Sequence, residues 1–373
     1  MSHLAPFSPR RRLAFRSEAA RAAQDFDCEL TGCDRQCLLS SVWRYLLLAL
    51  GFFTLGFLVW HIGPGRIYEA AAQLGPGALL IILIPSLLMY VLEAYGWRLI
   101  LSSAADTIPF WKLLAIRTAG EVVNMTTPTA YVGGEPLKAY LLKRHHIPMV
   151  EGLASVVIAK TIMTLAQVLF ILVGIALAFW MLGAVGSSSQ MAAAGLLTAA
   201  LLFFGVAAFI FVQKRGLFMW ILQTLRRLGL RFALLEAREE KLRSLDRTIL
   251  QFYTQHRSAF YASTTLYLLG WLAEALEVYV IIFYLAGSPD MPTAVSIGAL
   301  SVFIKGGTFF IPGSLGAQDG GNLLLLNAFG YSDVTGITFA LVRRFRELVW
   351  IGIGLLCLAT LGRSDRREVE KLK

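Results

Sequence analysis

Charge is scarce in this sequence. Only 16% of its 373 residues are Asp, Glu, Lys or Arg, and 57% are hydrophobic. Soluble domains carry about 25% charged residues, so the composition excludes a water-soluble globular protein and points to a polytopic helical membrane protein. Cysteine is scarce as well. Cys28, Cys33 and Cys37 cluster in "CELTGCDRQC", and Cys357 stands far away. A structural zinc site needs a fourth Cys or His close by, and three clustered cysteines cannot form a closed disulfide set. His145 and His146 are adjacent, so their side chains diverge on a helix, and no other ligand stands near. No metal and no cofactor is therefore expected. The formal charge of +10 lacks a basic patch interleaved with aromatics, so nucleic acid is not an expected partner. It fits instead basic cytoplasmic loops facing anionic lipid.

Long apolar runs are what the chain has in quantity. Val42–His61, Ala78–Leu101, Leu153–Leu182, Met191–Val212, Phe260–Ala286 and Gly336–Leu361 are each long enough to cross a hydrocarbon core of about 30 Å. The first follows a polar tail and reads as a signal anchor, with no cleavable leader before it. Two more segments, Phe110–Leu142 and Thr293–Phe329, are apolar but interrupted by Gly, Pro and charge. Lys and Arg concentrate in the N-terminal tail, at Lys143-Arg144, between Lys214 and Arg257, and after Gly362, which puts those parts and both termini in the cytoplasm. The loops Ser187–Gln190 and Gly287–Pro292 then lie outside. These sides agree only if each interrupted segment enters and leaves on one face. Such re-entrant backbone is tolerated only where protein buries it or water lines it.

The expected fold is thus all-α and polytopic, with about six full spans and two re-entrant broken-helix segments. A polar cytoplasmic tail covers 1–40, a membrane domain 41–362 and a basic cytoplasmic tail 363–373. Within the membrane domain, 213–258 reads as a cytoplasmic amphipathic insert. Leu242, Leu245, Ile249 and Phe252 recur there at helical spacing, opposite Arg243, Asp246 and Arg247. That pattern predicts a helix lying on the anionic lipids of the inner leaflet.

The chain also resembles itself. A shift of 184 residues lays Glu93 on Glu277, Tyr95 on Tyr279, Pro128 on Pro312, Glu135 on Asp319 and Lys160 on Arg344. The two copies, about 78–182 and 260–361, run in opposite senses through the expected topology. Inverted repeats with broken helices meeting near the midplane are the architecture of secondary transporters.

Charges inside spans carry the functional reading. A charge at the bilayer centre costs about 2.5–3.5 kcal/mol. Glu93, Glu135, Lys160, Glu277, Asp319 and Arg344, with Glu274, Lys305 and Arg343, must therefore pair or line a hydrated cavity. Lys160, Arg343 and Arg344 offer cations for an anionic headgroup, which an arginine can hold by two parallel bonds. Glu135 and Asp319, at the broken-helix tips, can pair with those cations or carry a coupling proton. Lys138, one turn on, can guide an anion inward. Pro128 and Pro312 break the helices. Gly133 and Gly134 either cradle an anion on backbone N–H groups or let helices approach. Glu93 and Glu277 support the site; paired with Lys160 and Arg344 they would only lock the copies together. Trp43, Trp60, Trp97, Trp111 and Trp180 read as interface anchors.

The run P-x-x-x-x-G-G-E-P-x-K at Pro128–Lys138, the run P-G-x-x-G-x-x-D at Pro312–Asp319 and the arginines before the last span resemble the lysylphosphatidylglycerol synthase transmembrane region, or flippase-like, family over about Trp43–Gly362. The resemblance implies an integral bacterial inner-membrane protein concerned with lipid translocation or lipid-anchored intermediates. The stand-alone length is similar to relatives encoded with hopanoid biosynthesis. Some relatives add a soluble aminoacyl-transfer domain; none follows here, so lipid aminoacylation is not expected. Asp319 stands where the family pattern has Glu, which shortens its reach by one methylene. The expected function is transport of a lipid or lipid-linked amphiphile with an anionic or polar headgroup. The alternative is a non-transporting lipid-binding scaffold subunit of a membrane lipid-biosynthesis system, docking through its tail and its 214–257 segment. An enzyme is not expected: no zinc motif, Ser/His pair in a span or Asp-rich diphosphate site occurs, although Glu135 with Asp319 offers an acid and a base.

Overall fold

A computed structural model describes residues 53, 57, 60, 63–126, 133–183, 189–228, 239–287, 289–308, 314 and 316–371. All but Phe53, Phe57 and Trp60 of the first expected span lie outside these, as do the cysteine-bearing tail, Trp43, Pro128 and Pro312. The chain divides into residues 1–50 and 51–373, and every described residue belongs to the second unit.

Among the described residues there are eleven α-helices and no strand. They are α1 (Pro64–Leu101), α2 (Phe110–Thr126), α3 (Gly134–Lys143), α4 (Met149–Gly183), α5 (Ser189–Lys214), α6 (Leu217–Arg227), α7 (Glu239–Gln255), α8 (Arg257–Ala286), α9 (Met291–Gly307), α10 (Ala317–Ala328) and α11 (Asp333–Lys371). Stretches of α1 (Leu74–Leu101), α4 (Met149–Met181) and α8 (Arg257–Ala286) are long and apolar enough to cross a membrane; Ala200–Lys214 of α5 with α6, bent by 89° between them, makes a fourth if the bent pair is counted as one span. The expected last span lies inside α11, and that helix runs on through residue 371.

Sequence chemistry sets the breaks. α1 bends at Gly75, whose φ is +75°, because Pro76 has no N–H to continue the ladder. α3 has 10 residues and α10 has 12. At 1.5 Å per residue they reach only about 15–18 Å, half of a hydrocarbon core. Each folds back on the helix before it, α3 on α2 and α10 on α9.

The 184-residue register reappears in the helix starts. α4 begins at Met149 and α11 at Asp333, 184 residues later; α3 begins at Gly134 and α10 at Ala317, 183 later. Contacts are reciprocal too. α1 packs along α8, while α2 packs on α11 and α9 packs on α4. Both crossed contacts use a glycine. A Cβ on Gly174 would sit 2.1 Å from the Ala299 Cβ, and one on Gly354 would sit 2.1 Å from a Val122 methyl.

The α7 part of the 213–258 segment departs from expectation. Leu245, Ile249 and Phe252 of α7 do form one face, but that face is buried against the protein, chiefly α4, and joins the main core. Asp246, placed on the polar face from the spacing, is buried as well. Its carboxylate accepts from the N–H groups of Phe218 (3.1 Å) and Met219 (2.9 Å), the otherwise orphaned donors that open α6. Trp97 is also no interface anchor: it is 2% exposed and donates to Ser155 Oγ at 3.2 Å. Trp60, Trp111 and Trp180 are exposed.

Candidate functional site

A cavity of about 260 Å³ opens where the two sets of helices meet. Its lining comes from α1, α2 and α4 on one side and from α8, α9, α10 and α11 on the other. Methionines and aromatic rings form the apolar walls. Tyr90 stacks on Trp350 with ring centroids 4.0 Å apart, and the Arg117 guanidinium lies 4.7 Å over the Tyr90 ring. Five cations line the cavity, Arg117, Lys160, Lys305, Arg343 and Arg346, with four carboxylates, Glu93, Glu121, Glu274 and Glu347.

The first half holds its charges around Asn124. The Asn124 Oδ1 accepts from Gly134 N–H at 2.7 Å, and its Nδ2 donates to Glu135 at 3.1 Å and to Glu121 at 3.4 Å. Lys138 Nζ lies 3.2 Å from Glu135 and 3.5 Å from Glu121. Lys160 approaches Glu135 at 3.6 Å, and its side chain is 32% exposed. Glu93 pairs with Arg117, not with Lys160. Asn124 can reach the tip of α3 because residue 134 is glycine; a Cβ there would lie 1.9 Å from the Gly120 carbonyl oxygen. Close approach, not an anion cradle, is thus what Gly134 provides here. Gly133 precedes it as the residue before the helix. Lys138 does not stand at an entrance: it is buried against Gly120 and serves two carboxylates.

The second half is tighter. Arg344 grips Asp319 by two bonds, Nε to Oδ1 at 2.9 Å and Nη2 to Oδ2 at 3.0 Å. Its Nη1 donates to Glu347 at 2.7 Å. The shorter side chain of Asp319 reaches Arg344 without loss, and Oδ2 also accepts from Gly316 N–H at 3.1 Å. Arg346 joins Glu277 (2.7 Å) and Glu274 (3.0 Å); Arg343 pairs with Glu274 and donates to Ser301 at 2.9 Å. Lys305 meets Glu347 at 2.9 Å. Glu277 therefore pairs with Arg346 and not with Arg344.

Arg117, Glu121, Asn124, Arg346 and Glu347 were not singled out from the sequence. One signal would have found part of them. Glu121 plus 184 is Lys305, a charge facing a charge of opposite sign, which a search for like residues passes over. Among the described residues, no group of three or more His, Cys, Asp or Glu stands placed to hold a metal ion.

The family model described as the lysylphosphatidylglycerol synthase TM region matches residues 42–354. A UPF0104 membrane protein of Methanothermobacter thermautotrophicus is 22% identical over 343 residues, covering 88% of this chain and 98% of that one. A second match to a UPF0104 membrane protein of that organism is 33% identical over 115 residues, 31% of this chain and 32% of the other. No solved structure matches. The chain belongs to the lysylphosphatidylglycerol synthase TM region family, and with its apolar helices it is a multi-pass membrane protein.

Proposed function

We propose that this member of the lysylphosphatidylglycerol synthase TM region family carries a lipid or lipid-linked amphiphile with an anionic or polar headgroup across the bacterial inner membrane. The headgroup passes through the cavity between the halves while the acyl chains stay in lipid. The observation that carries this reading is the cavity itself: nine charged side chains, Met and Trp walls, and a lining drawn from both sets of helices. A structural ion-pair lattice has no need of a 260 Å³ space at its centre. The 184-residue register, the reciprocal packing and the short hairpins α2–α3 and α9–α10 support two inverted copies with re-entrant tips. In that topology both termini are cytoplasmic, and rocking of one copy on the other exposes the cavity to each side in turn. No step in this reading is enzymatic.

The scaffold alternative loses one of its surfaces, since the apolar face of α7 is already covered by the protein's own helices. Reconstituted vesicles test the proposal. Fluorescently labelled phosphatidylglycerol should change leaflet faster with the wild type than with Lys160→Met. Equal rates with both, at equal protein incorporation, count against it.

A further inference from the structure

We propose that entry of a phosphoryl anion into the cavity is linked to uptake of one proton by the Glu121–Glu135 pair. This rests on the reading that an anionic headgroup enters there. The first-half cluster is balanced as it stands. Its carboxylates are Glu93, Glu121 and Glu135, and its cations are Arg117, Lys138 and Lys160. Lys160 is the cation an anion can take. It lies 3.6 Å from Glu135, its side chain is the most exposed of the group, and it lines the cavity. Once a phosphoryl oxygen holds the Lys160 ammonium, four negative charges face three positive ones.

The surplus falls on two particular groups. Arg117 is engaged with Glu93. Glu121 and Glu135 are then left to share Lys138 and the single amide of Asn124. Two carboxylates that share one cation in a poorly solvated site do not both stay ionised, and one proton is the smallest correction. The groups facing them are Glu93 on α1, Arg117 on α2, Lys138 on α3, Lys160 on α4 and Tyr267 on α8, with Lys305 on α9 and Arg343, Arg346 and Glu347 on α11 across the cavity. The second-half cations are committed to carboxylates of their own, Lys305 to Glu347, Arg343 to Glu274 and Arg346 to Glu274 and Glu277, so none is a spare partner for the pair. A side chamber of about 30 Å³, lined by Glu121, Glu135, Lys138 and Lys160, has room for a water that can deliver the proton. Asp319 in the second half has no such freedom, because Arg344 holds it at two points. The proton enters from water and leaves when the anion does, so a lipid moving with the cavity moves with a proton.

Calorimetric titration of the purified full-length protein with short-chain phosphatidylglycerol, in buffers of different ionisation enthalpy, counts the protons. Wild type should take up about one proton per bound lipid, with affinity falling up to about tenfold per pH unit above neutrality. Glu121→Gln and Glu135→Gln each give the resting cluster one cation in excess, so each should bind the lipid without proton uptake and without that pH dependence. Dimethyl phosphate, a monoanionic phosphodiester without acyl chains, titrated in parallel, should give the same proton count if the anion alone is recognised; a count seen only with the lipid would assign the linkage to a seated headgroup. Lipid binding with no buffer dependence in the wild type overturns the proton linkage and leaves the transport reading standing. Proton uptake that persists in both variants, with unfolding temperatures like the wild type, overturns the assignment to this pair. No lipid binding at all overturns the transport reading with it.

Discussion

The two halves of the cavity hold charge differently. In the sequence register that lays α4 on α11, α4 has Ala159, Lys160, Ile162 and Met163 where α11 has Arg343, Arg344, Arg346 and Glu347. One charge on one helix answers four on the other. The consequence is visible in the contacts. Lys160 makes a single-point approach to Glu135 at 3.6 Å, whereas Arg344 holds Asp319 by two bonds and Glu347 by a third. Guanidinium forks fix geometry and ammonium groups do not. One half of the cavity is thus pinned by forked contacts, and the other, on the proposed reading, is the exchangeable half that meets the ligand.

The largest expected effect comes from breaking the pinned half. Arg346→Met leaves Glu277, which is fully buried, without its partner. Removing one member of a buried pair costs about 3–5 kcal/mol, read as a lower unfolding temperature in detergent. A smaller loss, about 1–3 kcal/mol, is expected for Gly134→Ala, because the new methyl collides with the Gly120 carbonyl and forces α3 away from α2. The same scan should detect it, and labelled-lipid transport should fall with it as Asn124 loses the tip of α3. Lys160→Arg sharpens the contrast from the other side. It gives the first half a fork like that of the second, so lipid transport should slow about tenfold, equivalent to ~1.4 kcal/mol, while stability holds or rises. The smallest stability change belongs to Lys160→Met. Its side chain is one-third exposed and loosely paired, so less than about 1 kcal/mol should be lost although transport is abolished.

Much of this was legible in the sequence. Scarce charges in apolar runs must find partners, so Glu93, Glu135, Lys160, Glu277, Asp319 and Arg344 stand out from composition alone, and the structure brings each of them to a partner. The 184-residue register was legible because prolines and charges keep it, and the starts of α4 and α11 follow it. Who pairs with whom was not. Glu93 meets Arg117 and Glu277 meets Arg346 because α1 and α8 lie together at the centre, and sequence spacing does not report which helix crosses which. Asn124 was invisible for another reason. A lone amide in an apolar helix looks like any polar residue until the tip of α3 is seen bound to it. The amphipathic pattern of α7 specifies a helix with an apolar face, but an apolar face is satisfied equally by lipid and by protein.

The most direct test of a pinned half and an exchangeable half is native mass spectrometry of gently extracted protein: wild type, Lys160→Met and Arg344→Ala. The expected result is a lipid adduct of defined mass on the wild type. Lys160→Met should lose it at an unchanged unfolding temperature, and Arg344→Ala should lose it together with stability. An adduct that survives in Lys160→Met would contradict the assignment of the ligand to the first half.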